Sequence, residues 1–463
     1  MLLPSVSETL ASVSRHPALE AAISALRRGV AHEHVSGLTD TAKALVAAHV
    51  AAELRRPVIV LTTSGARAET LAASLEFFYK ALAGQEVTGV AVFPALDAFP
   101  WQEVSSHAEI LETRAVTLWR YTSGLARVVV APIAAARMRL ADAASYAAQA
   151  RSLARDQEVS LDEFVAHLRR VGYESHDMVE MPGQFTVRGG IVDVFPAEAE
   201  RPVRLELFGD AVESLREFDP NTQRSVRPIE RVTLPPLLEQ PVNGARFSDG
   251  NSGGNGVPLR THSLFDLLDE TIVILDEPQA IDEAAKEFFT NAEEALQDSA
   301  GSAHDSAQDT IASHFFTTDW ERQLSRHARL ELDYLGVTRE GTESRTMQTQ
   351  STTRYHGNVP AFMAEARERV ATGGRVLLAA GNLGELERFV DLCHEYEVPY
   401  RLGELEENVT SARLSEDSSA GSVPAIVLVR APFVDGVVFP DSRLTIYGTG
   451  DLFETQPTGA ASR

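Results

Sequence analysis

The chain has 463 residues, and its content of 44% hydrophobic and 23% charged residues is ordinary for a globular protein, which excludes a wholly disordered chain. The 66 acidic residues outnumber the 42 basic ones, and the formal net charge of −24 argues against a surface whose main task is to grip a phosphate backbone. A single cysteine, Cys393, excludes an internal disulfide and predicts a buried structural thiol rather than a zinc ligand.

The hydropathy of the chain predicts no membrane helix, because no apolar run approaches the roughly 18 residues of a bilayer span. The N-terminus lacks a basic region followed by an apolar segment, which argues against a signal peptide. We therefore expect a cytoplasmic protein. The length predicts about three domains.

The N-terminal third of the chain alternates helices with short apolar strands. Two short helices are predicted up to about residue 30, followed by a helix that ends near Leu54. Apolar strands are predicted at residues 58–61, 90–94 and 128–132. This alternation indicates βα units and a parallel sheet that is covered by helices on both faces.

Residues 37–44 partly match the phosphate-binding template Gly-x-x-x-x-Gly-Lys-Ser/Thr. Gly37 and Lys43 occupy the first glycine and the lysine of the template. The template fails at its second glycine, at its metal-binding hydroxyl and inside the loop, where the chain has Ala42, Ala44 and Asp40. A carboxylate where phosphate oxygens would lie opposes nucleotide binding, so we expect a vestigial loop that binds no ATP. The alternative is a helix capped by Thr39 or Asp40 without any nucleotide history.

Residues 184–207 alternate apolar and polar side chains, the period-two pattern of half-buried strands. The pair Gly189-Gly190 supplies a turn at which a positive φ carries no Cβ clash. We predict an antiparallel meander. Four apolar side chains are expected to face its core: Val187, Val203, Leu205 and Leu207.

Two arginines and an aromatic residue are predicted on the opposite side of this meander. Arg188 and Arg204 alternate with the apolar side chains, and both are expected to lie close to Phe208 on the sheet. An exposed aromatic ring flanked by guanidinium groups has the composition of a protein-binding hot spot. The alternative is an ordinary sheet face on which the arginines pair with Asp193 and Glu206.

Beyond the meander, residues 243–256 are rich in Gly, Ser and Asn and are predicted to be a flexible excursion. A strand predicted at residues 271–275 ends in Asp276-Glu277, which looks like the metal-coordinating element of nucleotide-binding folds. Without a working phosphate loop, we expect these carboxylates to cap the following helix instead. The strand is expected to complete the first sheet, which makes the meander an insertion.

The remaining residues predict linkers and a small α/β unit. Residues 298–309 and 339–353 are polar and are predicted to be loop and linker. From about residue 359 onward, the predicted helices and strands are 362–371, 373–380, 383–395, 425–429 and 444–447.

Residues 172–196, together with 204–210 and 218–224, closely resemble the UvrB-like domain of bacterial transcription-repair coupling factors, and more distantly resemble the excision-repair subunit UvrB. In that family the domain is the docking surface for UvrA. The resemblance therefore implies that Arg188 and Arg204 bond to carboxylates of UvrA and that Phe208 is an apolar anchor. UvrB keeps an intact phosphate loop where the coupling factors have lost it, so the resemblance favours decay of the loop.

The patterns and the resemblance together predict an α/β fold. It comprises a parallel-sheet RecA-like domain with a degenerate phosphate loop, an inserted antiparallel β-rich UvrA-interaction domain and a small C-terminal α/β domain. The expected divisions are residues 1–152 for the first part of the RecA-like domain, 153–238 for the inserted domain, 239–350 for the completion of the first domain, 355–455 for the small domain and 456–463 for a tail.

The expected function is UvrA recruitment in nucleotide excision repair by a module without catalytic residues, cofactor or metal. In the full-length family protein, RNA polymerase and DNA are further partners and a translocase motor follows, so we expect this chain to be a fragment or a truncated product. The alternative is an ATP-dependent DNA helicase of the UvrB type, which needs a competent phosphate loop and a second motor lobe. A DNA-binding scaffold is a weaker alternative.

Overall fold

The computed structural model describes residues 2–29, 32–84, 89–99, 102, 106–239, 261–300, 316–317, 320–336, 342–404 and 424–452. Its helices are α1 (Pro4–Leu10), α2 (Pro17–Arg27), α3 (Asp40–Leu54), α4 (Gly65–Ala83), α5 (Ala108–Thr122), α6 (Ile133–Ala136), α7 (Ala143–Ala147), α8 (Leu161–Arg170), α9 (Pro278–Ala300), α10 (Trp320–Leu324), α11 (Val359–Ala371), α12 (Leu383–Glu395) and α13 (Thr449–Leu452). Two 3-10 helices span Val13–Arg15 and Leu264–Asp266.

The strands form three sheets and one separate pair. They are β1 (His32–Ser36), β2 (Val58–Thr62), β3 (Gly89–Val92), β4 (Ala126–Pro132), β5 (Arg151–Ala154), β6 (Glu174–Ser175), β7 (Gln184–Arg188), β8 (Ile191–Val194), β9 (Val203–Phe208), β10 (Ala211–Phe218), β11 (Ser225–Pro228), β12 (Arg231–Leu234), β13 (Ile272–Asp276), β14 (Ala328–Leu332), β15 (Glu343–Thr346), β16 (Gln350–Ser351), β17 (Arg375–Ala380), β18 (Tyr400–Leu402), β19 (Ile426–Arg430), β20 (Val437–Phe439) and β21 (Leu444–Tyr447).

The first sheet has seven parallel strands in the order β15-β1-β14-β13-β2-β4-β3. Strands β2 and β13 lie inside the sheet and are buried along their whole length. Their unbroken apolar sequences fit this position, because helices cover both faces of a parallel sheet. Strand β13 completes the first sheet, as the sequence predicted.

Strand β1 was not predicted from the sequence, because its residues are polar. Glu33 and His34 are nevertheless buried in it. Arg345 donates to Glu33 across the neighbouring strand at 3.0 Å, and Nε2 of His34 lies 3.1 Å from a carboxylate oxygen of Asp333. Burial raises the pKa of the Glu33 carboxyl group, although the charge of Arg345 opposes the shift. The strand is thus held by partners that lie about 300 residues away in the chain.

The second sheet has six strands in the order β11-β10-β9-β8-β7-β6, and all neighbours are antiparallel except the parallel pair of β6 and β7. Strands β5 and β12 pair separately, where the chain enters and leaves this unit. In chain order, the unit falls between β4 and β13 of the first sheet. The antiparallel sheet is therefore an insertion, and the predicted fold class is confirmed.

The third sheet belongs to the small α/β unit and has the order β16-β20-β21-β17-β19-β18. Helix α12 has the bounds predicted from the sequence, and β17 and β21 agree with prediction to within two residues. Cys393 is buried on α12, and burial raises the pKa of its thiol to about 12. The prediction of a structural thiol is confirmed.

A continuous apolar core joins the first sheet to the third sheet. Helix α3 lies within this core and is buried without a break from Thr41 to Ala51. The ring of Phe78 on α4 stacks on that of Phe433 from the small unit, with centroids 5.3 Å apart. The two α/β units therefore share one hydrophobic core.

Two of the stretches predicted to be loop or linker contain regular structure. Strand β15 forms inside the predicted linker 339–353, and β16 at its end pairs with β20 of the third sheet. Helix α9 continues to Ala300, into the predicted loop 298–309. The rest of that loop and residues 243–256 lie outside the described residues. Among the helices of the described residues, none has the length and apolarity to span a bilayer.

Candidate docking site

The turn between β7 and β8 depends on two glycines. Gly189 has a φ of +63°, in the left-handed region that favours glycine. A Cβ on Gly190 would lie 2.8 Å from the carbonyl oxygen of Leu207, and Leu207 donates its N–H to the Gly190 carbonyl at 2.8 Å. The turn therefore packs directly against the end of β9, next to Phe208.

Strand register places the predicted site residues on one side of the antiparallel sheet. Arg188 pairs with Ile191, and Ile191 pairs with Glu206. Because side chains alternate along a strand, Arg204 and Phe208 lie on the same side as Glu206. We call this side the outer face. The sequence-based expectation that Arg188, Arg204 and Phe208 share one side of the sheet is confirmed.

Phe208 and Arg188 are exposed on the outer face. Phe208 is 81% exposed, although it lies at the end of a strand whose inward residues Val203 and Leu205 are buried. Arg188 donates from Nη2 to the carbonyl oxygen of Asp177 at 2.5 Å. Within the described residues, no carboxylate lies within ion-pair distance of Arg188. The outer face therefore offers an exposed aromatic ring and an exposed cation that has no acidic partner in the described part of the chain.

Arg204 differs from the expectation of a free cation. Its Nε donates to Asp193 Oδ1 at 2.6 Å and its Nη2 donates to Asp193 Oδ2 at 2.8 Å. The guanidinium also lies 4.9 Å from the ring centroid of Phe218. Hydrogen bonding to Asp193 raises the pKa of Arg204, despite partial burial. The pairing alternative given by the sequence is therefore correct for Arg204 with Asp193.

The alternating pattern predicted burial for one residue that is exposed. It also did not identify two exposed apolar residues. Val187 was expected in the core but is 37% exposed at the open end of the sheet, whereas Val203 and Leu205 are buried. Ile191 and Met178 are exposed large apolar side chains that the sequence did not single out. The sequence could have identified Ile191, because it is two residues from Asp193 on β8 and therefore lies on the same side of the strand.

The inserted sheet is fixed to the first α/β domain by α5. Val116 and Trp119 of this helix pack into the core of the insertion. Arg114 is completely buried, is paired with Glu239 and donates to the Pro94 carbonyl oxygen. The outer face therefore has a defined orientation relative to the rest of the molecule.

The second predicted site lies at the start of α3, where the phosphate template was partly matched. Gly37 has a φ of +78°, and a Cβ there would lie 3.0 Å from the Met347 carbonyl oxygen. Lys43 points into the protein, and its side chain is only 3% exposed. Gly37 and Lys43 thus keep the positions of the template in a turn before a helix.

Five charged side chains, which we call the charge cluster, meet at this position: Asp40, Lys43, Arg67, Asp276 and Glu277. Lys43 Nζ lies 3.1 Å from Asp276, 2.5 Å from Glu277 and 3.4 Å from Asp40. Arg67 on α4 donates from Nε to Asp276 at 2.6 Å and from Nη2 to Asp40 at 2.8 Å. The carboxylates of Asp276 and Glu277, which the sequence predicted to cap α9, bind cations of α3 and α4.

The charge cluster neutralises its own cations. Burial alone would lower the pKa of Lys43, but Asp276, Glu277 and Asp40 outweigh it and raise the pKa. Burial also opposes the charge of Arg67, yet its bonds to Asp276 and Asp40 raise the pKa. Both side chains thus remain charged and engaged. A phosphate at this position would have to displace these carboxylates.

A cavity of about 370 Å³ lies beside the charge cluster, between α3 and the small α/β unit. Its wall includes carboxylates from both sides, Asp40, Glu277, Asp435 and Asp451. Within the described residues, no group of three or more His, Cys, Asp or Glu side chains is arranged to hold a metal ion. Two cations, Lys43 and Arg354, also line the cavity, so carboxylates outnumber cations in its wall.

These features define an α/β protein with a seven-stranded parallel sheet, a cluster of ion pairs at the start of α3 and an inserted antiparallel domain. Residues 152–239 match the family model of the UvrB interaction domain. The chain is 28% identical over 241 residues to the transcription-repair-coupling factor of Bacillus subtilis, covering 51% of this chain and 20% of the relative. It is 25% identical over 490 aligned positions to the transcription-repair-coupling factor of Mycobacterium bovis, covering 91% of this chain and 37% of the relative.

UvrB proteins are also similar to this chain. The UvrABC system protein B of Pasteurella multocida is 31% identical over 222 residues, covering 46% of this chain and 33% of the relative. The predicted resemblance to the coupling factors and to UvrB is confirmed. The chain spans 20% to 37% of the length of these three relatives.

Proposed function

We propose that this chain recruits UvrA through the outer face of its antiparallel sheet, as a module of transcription-coupled nucleotide excision repair. The match of residues 152–239 to the UvrB interaction domain supports this partner. The similarity to transcription-repair-coupling factors supports the pathway. RNA polymerase and DNA are further partners proposed for the full-length protein, and the proposal places the protein in the cytoplasm.

The observation that carries the proposal is the exposure of Phe208 on the same face as Arg188. Phe208 is 81% exposed, so a partner that covers it removes a large apolar surface from water. This burial favours binding and suits the ring as an anchor. Arg188 can form charge-assisted bonds to a carboxylate of UvrA, because no acidic side chain of the described residues binds it. Arg204 belongs to the same face and is held there by Asp193.

The proposal also treats the chain as non-catalytic. In the charge cluster, Lys43 pairs with three carboxylates and Arg67 pairs with Asp276. In this proposal, Lys43 of the phosphate template therefore stabilises the fold and does not bind phosphate. This arrangement supports a vestigial loop and speaks against the UvrB-type helicase as the alternative function.

Calorimetry with purified UvrA tests the proposed docking site. We expect Phe208→Ala to weaken the complex by about 2 kcal/mol, or roughly 30-fold, because the variant removes the anchor. Leu335→Ala is the matched control, since Leu335 is 79% exposed but lies in the α/β body. Unchanged affinity of Phe208→Ala, or an equal loss for Leu335→Ala, would contradict the proposal.

A further inference from the structure

The outer face carries a second exposed arginine that sequence analysis did not single out. Arg216 on β10 is the direct cross-strand partner of Arg204 on β9. It is exposed, and no hydrogen bond or ion pair joins its side chain to another described residue. The neighbouring Arg227 is engaged, because its Nε and Nη2 each donate to a carboxylate oxygen of Glu217 at 2.7 Å. Arg216 is therefore an available cation on β10, and Arg155, which lines the groove beside it, is also exposed.

We propose that Arg216 is the second cation that contacts the partner, and that Arg204 is a positioning residue. This inference rests on the proposed function and specifies how the partner is recognised. The docking surface then extends from Phe208 across β10 to the edge strand β11.

The bonds of Arg204 explain its assignment. Two of its three nitrogens point at the two oxygens of Asp193, which is only 2% exposed. Since Asp193 and Arg204 are cross-strand partners, this bidentate pair joins β8 to β9. A carboxylate of the partner would have to compete with a bidentate bond that is already formed. Arg204 thus acts on binding by holding the strand that carries Phe208.

A groove beside Arg216 continues the outer face. Its volume is about 640 Å³, and its lining includes Glu206, Ser214, Arg216 and Val226. Glu206 pairs with Ile191 on one side and with Ser214 on the other, so the groove adjoins the part of the face near Phe208. Val226 is half exposed in the groove and supplies an apolar contact.

The groove specifies the chemistry of the partner segment. Glu213 and Glu230 also line it, so the groove as a whole is mixed in charge and does not attract a uniformly acidic surface. It fits a segment of UvrA that directs one carboxylate to Arg216 and places an apolar side chain on Val226. Such a segment would lie across β10, next to the anchor site of Phe208.

Two charge variants separate the roles of the arginines in calorimetry with UvrA. Arg216→Gln should weaken the complex about 10-fold and make the dissociation constant less dependent on salt. Arg367→Gln on α11 is the matched control, because Arg367 is also exposed and the net charge changes equally. It should leave the affinity unchanged.

The double variant Asp193→Asn/Arg204→Gln removes both charges but keeps an amide pair in the same place. We expect less than about a twofold change in affinity, whereas Arg204→Gln alone should weaken binding more, because it leaves Asp193 without its partner. A thermal midpoint for each variant shows whether it is folded.

An unchanged affinity for Arg216→Gln, or a loss matched by Arg367→Gln, overturns the role of Arg216. A folded double variant that binds as weakly as Arg204→Gln overturns the positioning role of Arg204. If the double variant does not fold, Arg216→Gln compared with Arg367→Gln still decides whether the surface extends to β10. Phe208→Ala tests the proposed function separately, so failure of the two ideas is distinguishable.

Discussion

The charge cluster and the outer face both contain basic side chains, but only those of the charge cluster are paired with carboxylates of the same chain. In the charge cluster, Lys43 and Arg67 are each bound to more than one carboxylate of this chain. On the outer face, Arg188 and Arg216 have no acidic partner among the described residues. A cation taken out of water requires a counter-charge from its own chain, whereas an exposed cation can be left for another molecule.

The largest effect on stability is expected for a substitution in the buried charge cluster. Lys43→Met keeps most of the side-chain volume but leaves Asp276 and Glu277 with one cation fewer. We expect a loss of roughly 3 to 5 kcal/mol of unfolding free energy, measured by urea denaturation, because a buried carboxylate loses its partner.

The control for this variant removes the unpaired charge as well. Lys43→Met/Asp276→Asn should recover part of the lost stability, since the asparagine carries no charge and can still accept from Arg67. A stability equal to that of the unchanged protein for Lys43→Met alone would show that the charge cluster is not a structural element.

Acid should act next most strongly, through a buried histidine. His49 on α3 is 2% exposed, and burial lowers its pKa to about 4, although its bond to the Leu10 carbonyl oxygen opposes the shift. Because the unfolded chain binds the proton more readily, His49 contributes stability that is complete above pH 6.5 and is lost as the pH falls toward 4.

The expected loss is about 3 kcal/mol between these pH values, and unfolding midpoints measured along a pH series check it. His49→Gln should flatten this part of the stability profile. His176→Gln, at an exposed histidine, is the matched control and should leave the profile as it is. An equally steep profile for His49→Gln would exclude His49 as its source.

Small effects on stability are expected on the outer face. Phe208→Ala and Arg188→Ala should each change the unfolding free energy by less than about 0.5 kcal/mol, because the side chains are exposed. Phe78→Ala, at a fully buried ring, should cost roughly 3 to 5 kcal/mol in the same denaturation experiment. A large loss for Phe208→Ala would mean that the ring serves the fold and not a partner.

No effect at all is expected from nucleotide. Mg-ATP should leave the thermal midpoint unchanged, whereas a ligand at 100 times its dissociation constant would add about 2.7 kcal/mol. Saturable binding of labelled ATP that is abolished by Lys43→Ala would break the comparison, because the charge cluster would then open for phosphate.

Much of the fold could be predicted where local patterns agreed with the tertiary structure. The alternation along β9 fixed which side chains face the core, and the periodicity of α12 gave its bounds. Strand β1 could not be predicted in this way, because Glu33 and His34 are buried against partners more than 290 residues away in the chain. Burial of such residues depends on contacts that no local pattern contains.

The sequence predicted on which side of the sheet the candidate site residues lie, but it did not predict their hydrogen-bond partners. Alternation placed Arg188, Arg204 and Phe208 on one side of the sheet. The register then decided that Arg204 meets Asp193 while Arg188 meets Ile191, and register follows from the turns and packing of the whole sheet. Arg67 was missed for a similar reason, since only the fold brings it to Asp276.

The anchoring of the insertion by α5 has a mechanical consequence. Because Val116 and Trp119 form part of its core and Arg114 is bound to its end at Glu239, a pull on Phe208 is transmitted through α5 to the first sheet. The inserted sheet is therefore held against the first α/β domain by side-chain packing and an ion pair, in addition to its two chain connections. A fragment cut at residues 152 and 239 would lose this helix and leave one wall of its apolar interior open to water.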